Sequence, residues 1–234
     1  IDITVISGNP ENTMKIHHVN AVGWENIPLI ISEMDTCDLV IIGGGGVFHD
    51  YWGFEHTSIL TSKHIGLSFY SSIAILAAVK RKPLMLYGVG VGPLITREGN
   101  SIVRTIANQA ARITVRDDES QKVLLALGIH REKIRITADP AFSIPASPNQ
   151  LNDHPTDAVR HPLVGVALRN WDVDVDPAVW EREVAAGLDG FLGQHPAANV
   201  LFIPFQNVKD TLLDDTGISK RVQRWMTHAG RTRI

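Results

Sequence analysis

Residues 38–50 read DLVIIGGGGVFHD, and this stretch decides the fold. The apolar run from Leu39 to Ile42 is typical of a short strand that is buried on both faces of a parallel sheet. Four glycines follow at once, Gly43 to Gly46, although an ordered glycine loses more backbone entropy than any other residue. They predict a turn with positive φ, or a backbone that a ligand approaches closely, at the carboxyl end of the strand. Open α/β sheets bind their ligands at this edge.

Composition narrows the class of protein. The chain has 234 residues, 44% hydrophobic and 20% charged, with a net charge of -3, which is ordinary for a globular protein with a sizeable core. The sequence has no concentrated stripe of Lys and Arg, and this argues against nucleic acid or an anionic membrane as a main partner. The apolar segment 65–79 contains three serines and is shorter than the roughly 20 residues that span a bilayer, so it predicts a buried helix. The single Cys37 excludes an internal disulfide, and we expect a cytoplasmic protein.

The rest of the chain repeats one unit of strand, loop and helix, which indicates an α/β fold with parallel sheets. Asp118 and Gln121 have the spacing of a capping box, and Gly128 follows the end of the same helix. We predict strands at residues 1–7, 39–42, 84–89, 113–115, 134–137, 163–168 and 200–203, and helices at residues 27–34, 62–80, 101–111, 119–127, 180–192 and 218–228.

Residues 145–162 differ in composition from the segments around them. They contain four prolines among Ser, Asn and Asp, which is typical of a linker between domains. We therefore predict a first Rossmann-like lobe at residues 1–144 and a partial second lobe at residues 163–234, with the two lobes facing a cleft. The chain begins in mid-strand without methionine, so the first lobe is expected to lack its first strand and loop.

Two glycine-rich loops follow neighbouring predicted strands. One contains Gly44, Gly45 and Gly46, and the other contains Gly90 and Gly92. Neither has the spacing of the dinucleotide fingerprint or the Lys-Ser/Thr of a P-loop. Such loops still offer backbone N–H groups to an anion, while a tight turn is the alternative. Two of them at one sheet edge favour a ligand site.

Polar side chains at the predicted strand ends are further candidates for ligand contacts. Asp50 either accepts a hydrogen bond from a sugar hydroxyl or holds the loop in shape. Arg116 and Asp139 each form either an ion pair within their loops or a ligand contact. The spacing of His49 and His56 around Asp50 matches no common metal site, so no metal is expected.

Arg169 ends a predicted strand of the second lobe and is expected to face the cleft. A fixed guanidinium fork at such a place suits a carboxylate or a phosphate. Trp171 beside it either stacks on a ring or packs against the protein.

Five blocks together resemble the polysaccharide pyruvyl transferase family. Their order and spacing over much of the chain make the resemblance more specific than any single block. They are CDLVIIGGGGVFHD at 37–50, KPLMLYGVGVGPL at 82–94, ITVRDDES at 113–120 with Leu127-Gly128, TADPAF at 137–142 and GVALRNW at 165–171.

This resemblance implies a fold like that of GT-B glycosyltransferases and a definite reaction. The pyruvyl group of phosphoenolpyruvate would pass to two hydroxyls of a sugar in a cell-surface polysaccharide or exopolysaccharide, giving a ketal. By position, Arg169 matches the family's donor-binding arginine. The family's Arg-Leu-His block is not found, so the catalytic histidine is expected beyond Ile234.

The resemblance also implies the partners and leaves two rival functions open. Expected partners are phosphoenolpyruvate and a sugar or lipid-linked saccharide, with no cofactor, at a cytoplasmic location that includes the inner face of the membrane. A homo-oligomer is left open. The rivals are a nucleotide-sugar glycosyltransferase of the same shape and a catalytically inactive glycan-binding module.

Overall fold

The computed structural model describes residues 1–51, 53–63, 66–145, 162–172, 174–206 and 214–234. The chain folds into two compact units, Ile1–Pro145 and Ala146–Ile234. Most of the predicted linker, residues 145–162, lies outside the described residues, and the predicted lobe boundaries stay predictions.

The described part of the first unit alternates strands with helices. Its strands are β1 (Thr4–Ser7), β2 (Asn20–Gly23), β3 (Val40–Phe48), β4 (Leu84–Val91), β5 (Arg112–Val115) and β6 (Ile134–Ile136). Its helices are α1 (Pro10–His17), α2 (Ile27–Thr36), α3 (Gly66–Val79), α4 (Arg97–Gln109) and α5 (Asp118–Ala126). Strands β1 and β2 form a parallel pair, and the order β3-β4-β5-β6 forms a parallel sheet. The carboxyl ends of these four strands therefore lie along one edge.

Helix α3 supplies much of the core of the first unit. Its predicted apolar residues Phe69, Ile73 and Leu76 are buried, which confirms a buried helix, whereas Ile65 lies outside the described residues. Ser71 and Ser72 donate to carbonyl oxygens one turn earlier, at 2.7 and 2.8 Å, so their buried hydroxyls are satisfied. Among the described residues, no helix is long and apolar enough to cross a membrane.

Strand β3 differs from its prediction in two ways. It continues through the glycines to Phe48, because Gly43, Gly45 and Gly46 stay in parallel register with β4. The prediction that the strand ends at Ile42 is therefore wrong, although positive φ at two of the glycines is correct. The predicted burial of both faces is also wrong, since Ile41 is 56% exposed. Successive side chains of a strand point to opposite faces, and within the predicted run from Leu39 to Ile42 only Val40 and Ile42 are buried.

Local capping explains the other differences in the first unit. Helix α5 is capped by Asp117, whose side chain accepts from the Ser120 amide, so the predicted capping box of Asp118 and Gln121 is wrong by one residue. Helix α4 begins earlier than predicted because Thr96 caps it by accepting from the Gly99 amide. The prediction missed α1, a short helix that Asn9 caps, and the strand β2 after it.

The second unit carries a smaller parallel sheet. Its elements are β7 (Leu163–Val166), α6 (Pro177–Gln194), β8 (Asn199–Phe202), α7 (Asp215–Trp225) and β9 (Thr232–Arg233), with the strand order β7-β8-β9. Leu192, Phe202 and Ile218 are almost fully buried between the helices and the sheet. Each such side chain contributes roughly 1.5–3 kcal/mol by leaving water. Strand β9 was not predicted, because two residues are too few to show a pattern.

Gly88 within β4 should not tolerate a side chain. Its φ is +59°, and a Cβ would overlap the ring of Pro140, which follows β6. We expect Gly88→Ala to lower the free energy of unfolding by about 2–4 kcal/mol, since strain and overlap add. Gly44→Ala is the matched control, because Gly44 has a φ of +79° but nothing within 4 Å of a Cβ. Urea titrations that show equal losses for both variants would contradict the packing role of Gly88.

Candidate functional site

The carboxyl edge of the β3-β4-β5-β6 sheet gathers most of the residues that the sequence singled out. Gly46, Gly90, Gly92 and Arg116 line one open cavity of about 360 Å³. Residues from β3, from β4, from the loop after β5 and from the start of α5 form its wall. Asp139, after β6, joins the same edge by binding Arg116.

The backbone at the end of β3 is open to an approaching molecule. Gly44 and Gly45 have φ values of +79° and +80°, and nothing lies within 4 Å of a Cβ placed on either. Most L-residues avoid this conformation, whereas glycine adopts it readily. The strand therefore presents main-chain groups at this edge without covering side chains.

Gly46 and Gly90 make room for the guanidinium group of Arg116. A Cβ on Gly90 would lie 3.0 Å from Arg116 Nε and 3.1 Å from Gly46 Cα, and a Cβ on Gly46 would lie 3.5 Å from Arg116 Nη2. The two glycines are paired across β3 and β4. Their small size lets the arginine lie against both backbones at the cavity wall.

Carboxylates hold Arg116 in place. Arg116 Nη1 donates to Asp139 Oδ2 at 2.9 Å, and Asp117 Oδ2 lies 3.7 Å from Arg116 Nε. The Ala141 amide and then Arg116 lower the pKa of Asp139 from its ordinary value. The hydrogen bond from Ser120 is the main cause that lowers the pKa of Asp117. The ion-pair alternative for Arg116 is thus present, and the ligand-contact alternative stays a prediction.

The Arg116–Asp139 pair predicts a pH dependence. The folded pKa of Asp139 lies below the unfolded value of about 3.9, so its contribution to stability is present above that value and is lost as pH falls through the folded pKa. We expect Arg116→Gln to raise the pKa of Asp139 only part of the way, since the Ala141 amide still donates. Carboxyl ¹³C NMR measures this shift, with Asp139→Asn assigning the resonance. An unchanged pKa in Arg116→Gln would contradict the pairing.

The carboxylate of Asp50 is bound by the segment that leads into α4. It is 1% exposed, and its carboxylate accepts from the Ile95 amide at 2.6 Å, from the Thr96 amide at 2.9 Å and from the Thr96 hydroxyl. Both oxygens are thus engaged by the segment that starts α4. Of its two predicted roles, this geometry favours holding the loop in shape.

The two histidines of the same loop make local contacts. His49 stacks on Tyr51 with ring centroids 4.0 Å apart, and His56 starts a short 3₁₀ turn. Within the described ranges, no group of three or more His, Cys, Asp or Glu side chains is arranged to hold a metal ion.

Arg169 belongs to the second unit, three residues after the end of β7. Its side chain is exposed, and no described residue forms a hydrogen bond or ion pair with it. Trp171, which follows it closely, is 39% exposed, and its carbonyl oxygen accepts from Trp180 Nε1 at 2.9 Å. An exposed guanidinium at the carboxyl end of a strand is suited to an anion.

Sequence reasoning missed a group of side chains that lie on α6, on α7 and in the segment after β7. Arg221 donates from Nε to Glu181 Oε1 at 2.9 Å and from Nη2 to Asn170 Oδ1. Glu181 is buried, which is rare for a glutamate unless it is paired. These residues border a second cavity with Trp171 and Trp225. Glu181 lies in the charged run Glu181-Arg182-Glu183, which resembles a solvent-exposed face, so no local pattern indicated its burial.

Solved structures of low sequence identity share this fold. A crystal structure of Anabaena Alr3699/HepE in complex with UDP matches 95% of this chain with a TM-score of 0.58 and 13% identity, and its complex with UDP-glucose gives 0.54 and 14%. UDP-GlcNAc 2-epimerase from Neisseria meningitidis, bound to UDP-GlcNAc, matches 99% with a TM-score of 0.55 and 10% identity. The chain spans 57% of the length of the two Anabaena structures and 63% of the epimerase.

These matches confirm the predicted fold class, which is α/β with two Rossmann-like units of the GT-B-like type. No curated protein sequence matches the chain significantly. The family model described as polysaccharide pyruvyl transferase matches residues 1–228, which is nearly all of the 234 residues. The predicted family is thereby confirmed: the chain belongs to the polysaccharide pyruvyl transferase family.

Proposed function

We propose that the protein transfers the pyruvyl group of phosphoenolpyruvate onto two hydroxyls of a sugar in a cell-surface polysaccharide or its precursor. The product is a ketal, and phosphate is released. Family membership supports a transferase of polysaccharide synthesis. The single observation that carries the finer proposal is the exposed Arg169, unpaired among the described residues, in the block that resembles the family's donor-binding segment.

Arg169 is suited to the donor because phosphoenolpyruvate carries a carboxylate and a phosphate. A guanidinium binds either group through two parallel hydrogen bonds, and it stays charged at every physiological pH. A lysine offers only a point charge. The arginine thus fixes both the position and the orientation of the donor. Correct placement of the reactants supplies much of the rate enhancement in group transfer.

The proposed reaction needs a proton at C3 of the donor and two attacks at C2. Protonation of C3 makes C2 electrophilic, and one sugar hydroxyl attacks C2 and loses its proton. Phosphate then leaves with the electrons of its C–O bond, and the second hydroxyl attacks C2 and gives up its proton to close the ketal. One of the two hydroxyl protons balances the proton added at C3, and the other is taken up by the released phosphate. Arginine stabilises the charge on the departing phosphate, and a general acid–base group moves the protons.

We assign the acceptor sugar to the glycine edge of the first unit. The open backbone at Gly44, Gly45 and Gly46, with Gly90 and Gly92 beside it, leaves room for a ring to lie close to the main chain. Arg116 and Asp139 supply donors and acceptors in one place, which suits hydroxyls, since each hydroxyl both donates and accepts. Asp50 supports this edge by holding the loop that follows β3. We also propose action in the cytoplasm, at the inner face of the membrane when the acceptor is lipid-linked.

A nucleotide-sugar glycosyltransferase is the second candidate. The observation in its favour is that the similar Anabaena structures hold UDP and UDP-glucose. Identities of 13% and 14% indicate a shared fold and do not extend to a shared substrate. A glycan-binding module without turnover is a third outcome that the same experiment detects.

The test measures product release from both donor classes. The intact protein is incubated with phosphoenolpyruvate and a panel of methyl glycosides and lipid-linked saccharides, and phosphate is measured with and without acceptor. Parallel reactions contain UDP-glucose or UDP-GlcNAc, and UDP is measured. We expect acceptor-dependent phosphate release and no UDP release. Release of UDP without turnover of phosphoenolpyruvate would overturn the proposal, and so would glycan binding without any turnover.

A further inference from the structure

A second cavity lies within the second unit, and Arg169 is not among the residues that line it. It has a volume of about 690 Å³, within the range of pockets for small ligands. The N-terminal part of α6, the C-terminal part of α7 and the segment after β7 surround it. Its lining residues are Asn170, Trp171, Asp172, Asp176, Pro177, Ala178, Glu181, Arg221, Arg224 and Trp225.

Two tryptophans give this cavity apolar walls that remain accessible. Trp171 is 39% exposed and Trp225 is 48% exposed, although tryptophan normally buries most of its surface. Trp180 Nε1 donates to the backbone carbonyl of Trp171 at 2.9 Å, which ties the main chain at Trp171 to α6, and the Arg182 guanidinium carbon lies 4.1 Å from the Trp225 ring centroid. The apolar faces of such rings suit the C–H faces of a small ligand.

The polar groups of the wall are fixed and mixed in character. Arg221 is anchored at 2.9 Å to Glu181, which is 4% exposed, and also binds Asn170. Arg224 adds donors, and Asp172 adds acceptors. A pyranose ring needs this combination, since its hydroxyls donate and accept while its C–H faces are apolar.

The charges of the wall argue against an anionic ligand. The lining contains three carboxylates, Asp172, Asp176 and Glu181, and two guanidinium groups, Arg221 and Arg224, and this formal balance of -1 disfavours a phosphate or a uronate. We propose that this cavity is a subsite for an uncharged sugar residue of the acceptor saccharide. That this sugar belongs to the acceptor rests on the proposed function, whereas the binding of an uncharged sugar does not.

The test follows the tryptophans one by one. The intact protein is labelled with 5-fluorotryptophan, and its ¹⁹F resonances are assigned by single Trp→Phe variants. It is titrated with methyl β-D-glucoside, methyl β-D-galactoside and methyl α-D-mannoside, and separately with glucuronate and UDP. We expect saturable shifts at Trp171 and Trp225 with at least one neutral glycoside and no shift at Trp24 in the first unit. Absence of these shifts, or larger ones with glucuronate or UDP, would overturn the proposal.

Variants connect the subsite to turnover. Trp225→Ala should weaken glycoside affinity and raise the KM for the acceptor by at least about tenfold, with the KM for phosphoenolpyruvate unchanged. Trp225→Phe should recover part of the loss, which separates the role of the ring from misfolding. Val179→Ala is the matched control, since Val179 is an exposed residue of α6 outside the cavity wall.

The two proposals fail in different ways. Pyruvyl transfer with an unchanged acceptor KM in Trp225→Ala overturns the subsite and leaves the proposed function standing. Glycoside binding at Trp171 and Trp225 without phosphate release from phosphoenolpyruvate supports the sugar subsite and overturns the proposed function.

Discussion

Replacing Arg169 by alanine is expected to lower kcat/KM for phosphoenolpyruvate by about 10²–10³-fold. Loss of a charge-assisted, two-point contact with a phosphate or a carboxylate costs about 3–4 kcal/mol, and each 1.36 kcal/mol is a factor of ten in rate. The fold should be unaffected, because Arg169 is exposed and binds no described residue. Steady-state kinetics at varied donor concentration, with phosphate as the measured product, gives the ratio.

Two further variants make this result specific to the position. Arg169→Lys keeps the charge but loses the planar fork, so it should recover only part of the lost activity. Arg112→Ala removes another exposed arginine, which lies at the amino end of strand β5, whereas Arg169 follows the carboxyl end of β7. This control variant should leave kcat/KM within about twofold. Equal losses in Arg169→Ala and Arg112→Ala would show a general effect of charge and contradict a donor-binding role.

Asp50→Ala is expected to lower the free energy of unfolding of the first unit by about 3–4 kcal/mol. The change removes a buried carboxylate that accepts hydrogen bonds from the Ile95 amide, the Thr96 amide and the Thr96 hydroxyl. Leaving buried amides without their charged acceptor costs more free energy than the hydrogen bonds themselves contribute to stability. Hydrogen exchange of β4 peptides in increasing urea measures the effect in this unit alone.

The same variant decides between the two roles predicted for Asp50. Asp38→Ala is the matched control, because Asp38 is an exposed aspartate before β3, and it should change stability by less than about 0.5 kcal/mol. If Asp50→Ala instead leaves stability unchanged and raises only the KM for the acceptor, then Asp50 contacts the sugar and the loop-holding role is wrong.

Patterns that are local in the sequence were predictable. The apolar run before Gly43 indicated a parallel strand, and alternation of strands with helices indicated the α/β class. The gathering of Gly46, Gly90 and Arg116 at one edge followed from parallel strands alone, since parallel strands end at the same side of a sheet. The family resemblance rested on five blocks whose order no single motif could provide.

Contacts between distant residues were not predictable. Nothing near Asp50 showed that its carboxylate would bind amides 45 and 46 residues later. Arg221 likewise binds Glu181 and Asn170, which precede it by 40 and 51 residues. Strand β3 was predicted to stop at its glycines because the apolar run ends there and ordered glycine is costly in entropy, but pairing with β4 continues through them.

The central claim is transfer of a pyruvyl group, and an isotope label on the donor tests it most directly. Phosphoenolpyruvate labelled with ¹³C at C2 is incubated with the protein and the acceptor panel, and the saccharide products are examined by ¹³C NMR. The account predicts that the label becomes a quaternary ketal carbon bonded to two sugar oxygens, in an amount equal to the phosphate released. Label that remains entirely in phosphoenolpyruvate or free pyruvate, while a UDP-sugar is consumed in the parallel reaction, would contradict it.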